Sequence, residues 1–204
     1  MRRLDEILRG WRIAKARPYI RPGDRLLDVG CHDGHLIRQL RGRIGAAVGV
    51  DPEAQPGPAD GARFIRAEFL GAADLQDGQF DCVTLLAVLE HARDPEALAR
   101  ECHRVLRTER RVLLTVPSPR VDAILWVLQG LRLIDGIYTD QHHGFDVEQT
   151  AAIFARAGFD LLTRQRFQFG LNNLLVFIKP ARRQRVITAI EPQGAPDGAL
   201  VSAG

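Results

Sequence analysis

Leu26-Leu27-Asp28-Val29-Gly30-Cys31-His32-Asp33-Gly34-His35-Leu36 is the stretch whose reading decides the fold. An apolar run breaks into a turn bracketed by Gly30 and Gly34, and Leu36, Ile37 and Leu40 then take up helical spacing. Strand, tight turn and helix start form the local grammar of a nucleotide-type binding site. Val48-Gly49-Val50-Asp51 follows as a second strand ending in a carboxylate. An acid about 20 residues beyond such a turn can accept hydrogen bonds from both hydroxyls of a ribose. The glycine spacing decides which nucleotide. A dinucleotide site wants Gly-x-Gly-x-x-Gly, so that backbone N–H groups can wrap a pyrophosphate. Here His32 and His35 stand in the remaining places, and a pyrophosphate cradle is poorly supported.

Further along, Phe80-Asp81-Cys82-Val83 leads into Val88-Leu89-Glu90-His91-Ala92-Arg93-Asp94-Pro95, then a helical stretch from Leu98 to Leu106 and a strand pattern from Val112 to Pro117. Asp28-x-Gly30-Cys31-x-x-Gly34 resembles motif I of the class I S-adenosylmethionine-dependent methyltransferases. The Phe80 and Val88 segments resemble their fourth motif, as in quinone-biosynthesis methyltransferases. The resemblance runs from about Arg25 to Pro119, with the motifs in family order. It implies an α/β, three-layer Rossmann-like sandwich: a mostly parallel, seven-stranded sheet closed by a C-terminal antiparallel hairpin. It also implies S-adenosylmethionine as cofactor and methyl transfer to a small-molecule or lipid-like acceptor, with oxygen the favoured acceptor atom. The cofactor-binding set it carries over is Asp28, Gly30, Cys31, His32, Gly34, Asp51, Pro52, Glu68, Phe69 and Leu86.

Composition fits an ordinary intracellular domain. The chain has 204 residues, 46% of them apolar, enough for a full core in one domain with an inserted cap. Although the pI is near 9.0, net charge is only +3, and the basic residues are almost all Arg, spread along the chain. That reads as a solvated surface rather than a nucleic-acid footprint. Cys31, Cys82 and Cys102 are odd in number and far apart, which suits reduced thiols and a cytoplasmic location. The basic N-terminus lacks the apolar core of a secretory signal.

In chain order, Leu4, Ile7, Leu8, Trp11 and Ala14 fall on one helical face, expected to pack on the sheet or close over a cofactor, until Pro18. Strands are expected at Arg25–Val29, Ala46–Val50, Arg63–Arg66, Phe80–Leu86 and Val112–Val116. Pro52 to Gly61, rich in Pro and Gly, leaves little room for a crossover helix. Asp94 reads as an N-cap with Pro95 in the first helical position, and Leu98, Cys102, Val105 and Leu106 as the buried stripe. Thr108-Glu109-Arg110-Arg111 reads as a turn. Val121 to Ile134 is apolar on nearly every side yet too interrupted to span a bilayer. Such a segment is buried, touches a greasy substrate, or lies on a membrane surface. Asp146-Val147-Glu148-Gln149 resembles a capping box for a helix ending near Gly158, and Phe159–Arg166 with Leu171–Ile178 form the closing pair. The expected organisation is therefore a methyltransferase domain over 1–179, with an N-terminal helix at 1–20 and a substrate cap at 119–145, then a disordered tail at 180–204.

S-adenosylmethionine carries a sulfonium, an ammonium and a carboxylate, so its site needs close backbone approach and well-placed acids. Asp28 is the matched position that favours the cationic end, and Gly30 and Gly34 are expected to leave the ligand room. His32 replaces a glycine usual in the family and would be strained if its φ were positive. Glu68 is matched to the adenine amino group and Phe69 to its ring; the alternative is a surface Glu beside a core Phe. An oxygen acceptor must lose a proton, which makes His91 a candidate base beside Glu90, with His142 and His143 in a later loop as further candidates. Relatives that hold a metal here resemble Glu-x-x-Glu-His, and Ala87 stands in place of the first Glu, so no metal is expected. Two other classes compete: a non-catalytic module of the same fold, and a nicotinamide oxidoreductase. Against the latter, Tyr138 is followed by His142 rather than by a lysine four residues on.

Overall fold

A computed structural model describes residues 2–59, 61–72, 74–118 and 147–181, with side chains from Glu6 onward. Expectations that fall on 119–146 and on the tail from 182 lie outside the described residues. The elements are α1 (Arg2–Ala16), β1 (Arg25–Val29), α2 (His35–Gln39), β2 (Ala46–Val50), β3 (Gly57–Ala59), β4 (Ala62–Ile65), β5 (Phe80–Leu86), α3 (Pro95–Val105), β6 (Leu106–Pro117), α4 (Val147–Arg156), β7 (Asp160–Phe167) and β8 (Asn172–Ile178). They build an eight-stranded sheet in the order β3-β4-β2-β1-β5-β6-β8-β7. The central pairs β2–β4, β1–β2, β1–β5 and β5–β6 are parallel, while β8 pairs antiparallel with both β6 and β7. This is the class I methyltransferase fold with its reversed C-terminal strands. The chain reverses its winding direction between β1 and β5, and α/β sheets bind ligands outside the carboxyl ends of the strands at such a point.

Side-chain alternation explains why the central strands are apolar throughout: each must fill a core on both faces of the sheet. Leu27, Val29, Val83, Leu85, Val112, Leu114, Leu175 and Phe177 pack with α3 and α4 in one layer. Leu26, Cys82, Leu113, Leu174 and Val176 pack with Ile13, Ala16, Leu36, Ile37 and Leu40 in the other. Phe154 of α4 stacks on Phe177 at 4.9 Å between ring centroids, fixing α4 against the reversed strands. At the start of α3 the Asp94 carboxylate accepts from the Ala97 N–H at 2.8 Å, the cap read from the sequence.

Three expectations need correction. The sheet gains an eighth strand, because Gly57-Pro58-Ala59 folds back on β4 as an antiparallel edge where the crossover helix is missing. The turn expected at Thr108–Arg111 lies within β6, whose pairing with β5 jumps from Phe80–Leu106 to Cys82–Arg111 around Glu109 at φ +61°. Among the described side chains of α1 the buried residues are Ile13 and Ala16, continued by Ile20, whereas Ile7 and Trp11 face outward at 53% and 44% exposure. Periodicity finds an apolar stripe; it does not say which of two stripes meets the sheet.

Candidate active site

The bend after β1 is built from the backbone of β2. Gly30 and Cys31 donate N–H groups to the Val50 carbonyl at 2.8 and 3.4 Å, and Gly34 donates to Cys31 O at 2.8 Å. Asp51 therefore emerges beside the bend, itself only 9% exposed. Its Oδ2 accepts the His32 N–H at 2.9 Å and its Oδ1 accepts the Glu53 N–H at 2.7 Å. Each carboxylate oxygen has a further lone pair to offer, so the acid is oriented without being saturated.

His32 has φ +47°, the left-handed backbone that its place in the turn demands. Its ring lies 64% exposed, with Nδ1 3.7 Å from Asp33 Oδ1 and Nε2 3.8 Å from Glu53 Oε2. The imidazole thus points outward, and the backbone N–H is what serves Asp51. A Cβ on Gly30 would come within 2.4 Å of Val88 Cγ2, and one on Gly34 within 2.6 Å of the Phe64 ring. On the Cβ side of each glycine the space is filled by the protein's own side chains, Val88 and Phe64.

Asp28 is 4% exposed, and its Oδ1 accepts from the Thr84 hydroxyl at 2.7 Å. Burial pushes this carboxyl up to about 7, against the pull of the Thr84 hydrogen bond; the charge of Asp51 adds to the rise and that of Arg9 opposes it. Cys31 is buried too, and that burial, helped by the charges of Asp28 and Asp51, drives its thiol up to about 12, so it is no nucleophile at neutral pH. Asp33 lies on the surface of the same bend. Partial burial raises its pKa, but hydrogen bonds and charge from Arg9 and then Arg38 outweigh this and hold it at about 2. Arg9 reaches it with both terminal nitrogens, at 3.0 and 3.3 Å, and so ties α1 to the bend.

On the β5 side, Leu86 ends the strand half-buried and Ala87 turns with φ +62°. A 3-10 turn follows at Leu89–His91, with Leu89 in the core, Glu90 half-buried and His91 exposed. Pro52 and Glu68 are exposed on the β2 and β4 side. Phe69 is only 5% exposed and packs in the core. His142 and His143 lie outside the described residues. No group of three or more His, Cys, Asp or Glu able to hold a metal occurs among the described residues.

Sequence reasoning missed Arg9, Thr84, Thr115 and Val88. Arg9 looked like one of many surface arginines. For the two threonines the available signal was a hydroxyl within an apolar strand, since a fully buried hydroxyl needs a partner.

The methyltransferase-domain family matches residues 2–164, and the chain belongs to it. It is 31% identical over 134 residues to the ubiquinone biosynthesis O-methyltransferase of Pseudomonas aeruginosa, an alignment covering 60% of this chain. The chain spans 57% of that relative's length. Among solved structures it superposes, with a TM-score of 0.67 and 19% identity, on a chain from the complex between the Haloferax volcanii Trm112 methyltransferase activator and a methyltransferase, covering 85% of this chain and 91% of that one. It also matches an S-adenosylmethionine-dependent methyltransferase from Methanosarcina mazei, with a TM-score of 0.60 and 16% identity over 80% of this chain and 96% of that one. No helix among the described residues is long and apolar enough to cross a membrane.

Proposed function

We propose that this chain binds S-adenosylmethionine across the bend between β1 and α2 and transfers its methyl group to oxygen on a small-molecule or lipid-like acceptor. The observation that carries the reading is the pair of acids at the bend: Asp51, oriented by two backbone N–H groups, and Asp28, buried and pushed up to about 7. A buried carboxyl held that high is poised to ionise when a cation arrives. The donor set thus fits a ligand bearing a sulfonium and an ammonium.

Asp51 would accept from the ribose hydroxyls and Asp28 would favour the ammonium end, directly or through water. Arg9, which reaches the bend through Asp33, would meet the ligand's carboxylate, and Glu68 is the acid available to the adenine amino group. When bound, the cofactor supplies an electrophilic methyl group on a sulfonium, whose departure leaves a neutral thioether. The chain's own part is to hold the acceptor in line, exclude water and take one proton. His91 is the proposed base, with Glu90 beside it and His142 and His143 as alternatives.

An apolar acceptor is supported by the exposed Ile7, Trp11 and Phe169, the last 93% exposed with its ring centroid 6.1 Å from Trp11. Gln168 Nε2 donates to the Leu8 carbonyl at 2.9 Å, joining α1 to the β7–β8 turn. We assign residues 1–179 to one catalytic domain, with the apolar stretch within 119–145 recognising the acceptor. Calorimetric titration with S-adenosylhomocysteine tests the core of the reading: saturable binding that tightens as pH rises through about 7 is expected, and no heat at high protein concentration refutes it. Binding without transfer across a panel of phenols, catechols and carboxylates would instead favour the non-catalytic module.

A further inference from the structure

Resting on the reading above, we propose that Thr115 is a positioning residue of the transfer site, acting through the left-handed Ala87 rather than by touching substrate. Thr115 is fully buried on β6, beside Leu86 in the parallel ladder. One residue later β5 leaves the ladder. The Ala87 N–H donates to Thr115 Oγ1 at 3.0 Å, and Ala87 turns at φ +62°.

A non-glycine residue avoids that backbone unless its surroundings determine it. Two things do so here. The threonine hydroxyl captures the amide that the ladder has released, and Leu89, two residues on, is buried in the core. Between these anchors Val88 presses its Cγ2 against the α-carbon of Gly30, where a Cβ would sit 2.4 Å away. The His91 N–H donates to the Val88 carbonyl at 3.0 Å and closes the 3-10 turn.

One hydroxyl therefore fixes the left-handed turn from which two parts of the site take their place. On one side stands the wall of the Gly30 bend, where the cofactor is proposed to lie. On the other stands the Glu90-His91 pair, where the proton is proposed to go. Removing the acceptor takes the partner from a part-buried N–H and lets the turn relax, so binding and transfer should weaken together.

Thr115→Val keeps the shape and removes the acceptor; Thr115→Ser keeps the acceptor; Ala87→Val keeps both and opposes the left-handed backbone. For Thr115→Val and Ala87→Val alike, the expected result is S-adenosylhomocysteine binding about tenfold weaker than in the wild-type protein, with kcat falling as well. Thr115→Ser should bind within about twofold of wild type. The double variant Thr115→Val with Ala87→Val should lose little more than either alone, because both act on one turn. A structural role alone would lower the melting temperature without moving Kd or kcat in the folded fraction. Thr115→Val folded with wild-type Kd and kcat overturns the proposal. If Thr115→Val does not fold, an Ala87→Val variant with wild-type Kd and kcat overturns it instead. Failure of the wild-type protein to bind S-adenosylhomocysteine would overturn the functional reading itself, and is seen before any variant is made.

Discussion

Asp28→Asn should make the ligand-free protein more stable at neutral and alkaline pH while destroying its cofactor site. The Asp28 carboxyl is raised from 3.8 to about 7 in the folded state, chiefly by burial. Between those values the folded chain keeps a proton that the unfolded chain has released, so stability falls as pH rises from about 4 to about 7 and then levels off. At about 1.36 kcal/mol per pKa unit, the accumulated loss above pH 7 is about 4 kcal/mol. Asparagine cannot ionise and escapes this loss, and its Oδ1 can still accept from the Thr84 hydroxyl. Its NH2 group, however, enters a site arranged for an acceptor, at a cost of about 1–2 kcal/mol. The net expectation is a gain of about 2–3 kcal/mol at pH 8, or a melting point higher by roughly 5–10 °C, with no gain near pH 4. Thermal melts of both proteins across that pH range, with and without S-adenosylhomocysteine, measure it. The ligand should raise the melting point of wild type only. Parallel stability curves from about pH 5 to about pH 8 would refute the reasoning, because Asp28 would then ionise at its ordinary pKa despite its burial.

Thr84→Val removes the hydrogen bond that lowers the Asp28 pKa, so the pH midpoint for S-adenosylhomocysteine binding should move upward, by about one unit in a calorimetric pH series. Gly30→Ala sets a Cβ 2.4 Å from Val88 Cγ2 at φ +71° and should destabilise by about 2–4 kcal/mol in urea melts, with binding lost. His32→Gly should keep Kd within about threefold, since the group that holds Asp51 is the backbone N–H, and stability should change by no more than about 1 kcal/mol. Phe154→Ala, far from the bend, should cost about 3–5 kcal/mol by opening a cavity against Phe177 and leave Kd unchanged in the folded fraction.

The fold was legible because its signals are local or repetitive. The Asp28–Gly34 turn, the apolar central strands and the Asp94-Pro95 helix start each declare themselves within a few residues. The acid at Asp51 was legible for the same reason: strand length and the return of the chain set its distance from the turn. What stayed hidden depends on pairs distant in sequence. Thr115 and Ala87 meet only because β5 and β6 lie in register, and Arg9 meets Asp33 only because α1 packs with its Ile13 face inward. The glycines show the limit most clearly. On their Cβ side Val88 and Phe64 stand so close that no larger residue fits, and both arrive from strands or turns far along the chain.

These hidden contacts share a physical character that bears on how such a site works. Among the described residues five non-glycine positions have positive φ, and two of them, His32 and Ala87, lie at the ends of neighbouring strands β1 and β5. Between them, in register, Asp28 and Thr84 form a buried polar pair in a largely apolar layer. Each of these features destabilises the ligand-free fold, and all of them converge on one cleft. Unfavourable conformations of this kind persist only where the surrounding structure determines them, as Asp51 does by accepting the His32 N–H and Thr115 by accepting the Ala87 N–H. A cationic nucleoside would relieve the buried acid without altering either turn, since both turns are already formed. Ligand binding should therefore stabilise this protein most above about pH 7, where Asp28 is ionised and weighs most on the ligand-free fold, and the backbone of the bend should change little when the site fills.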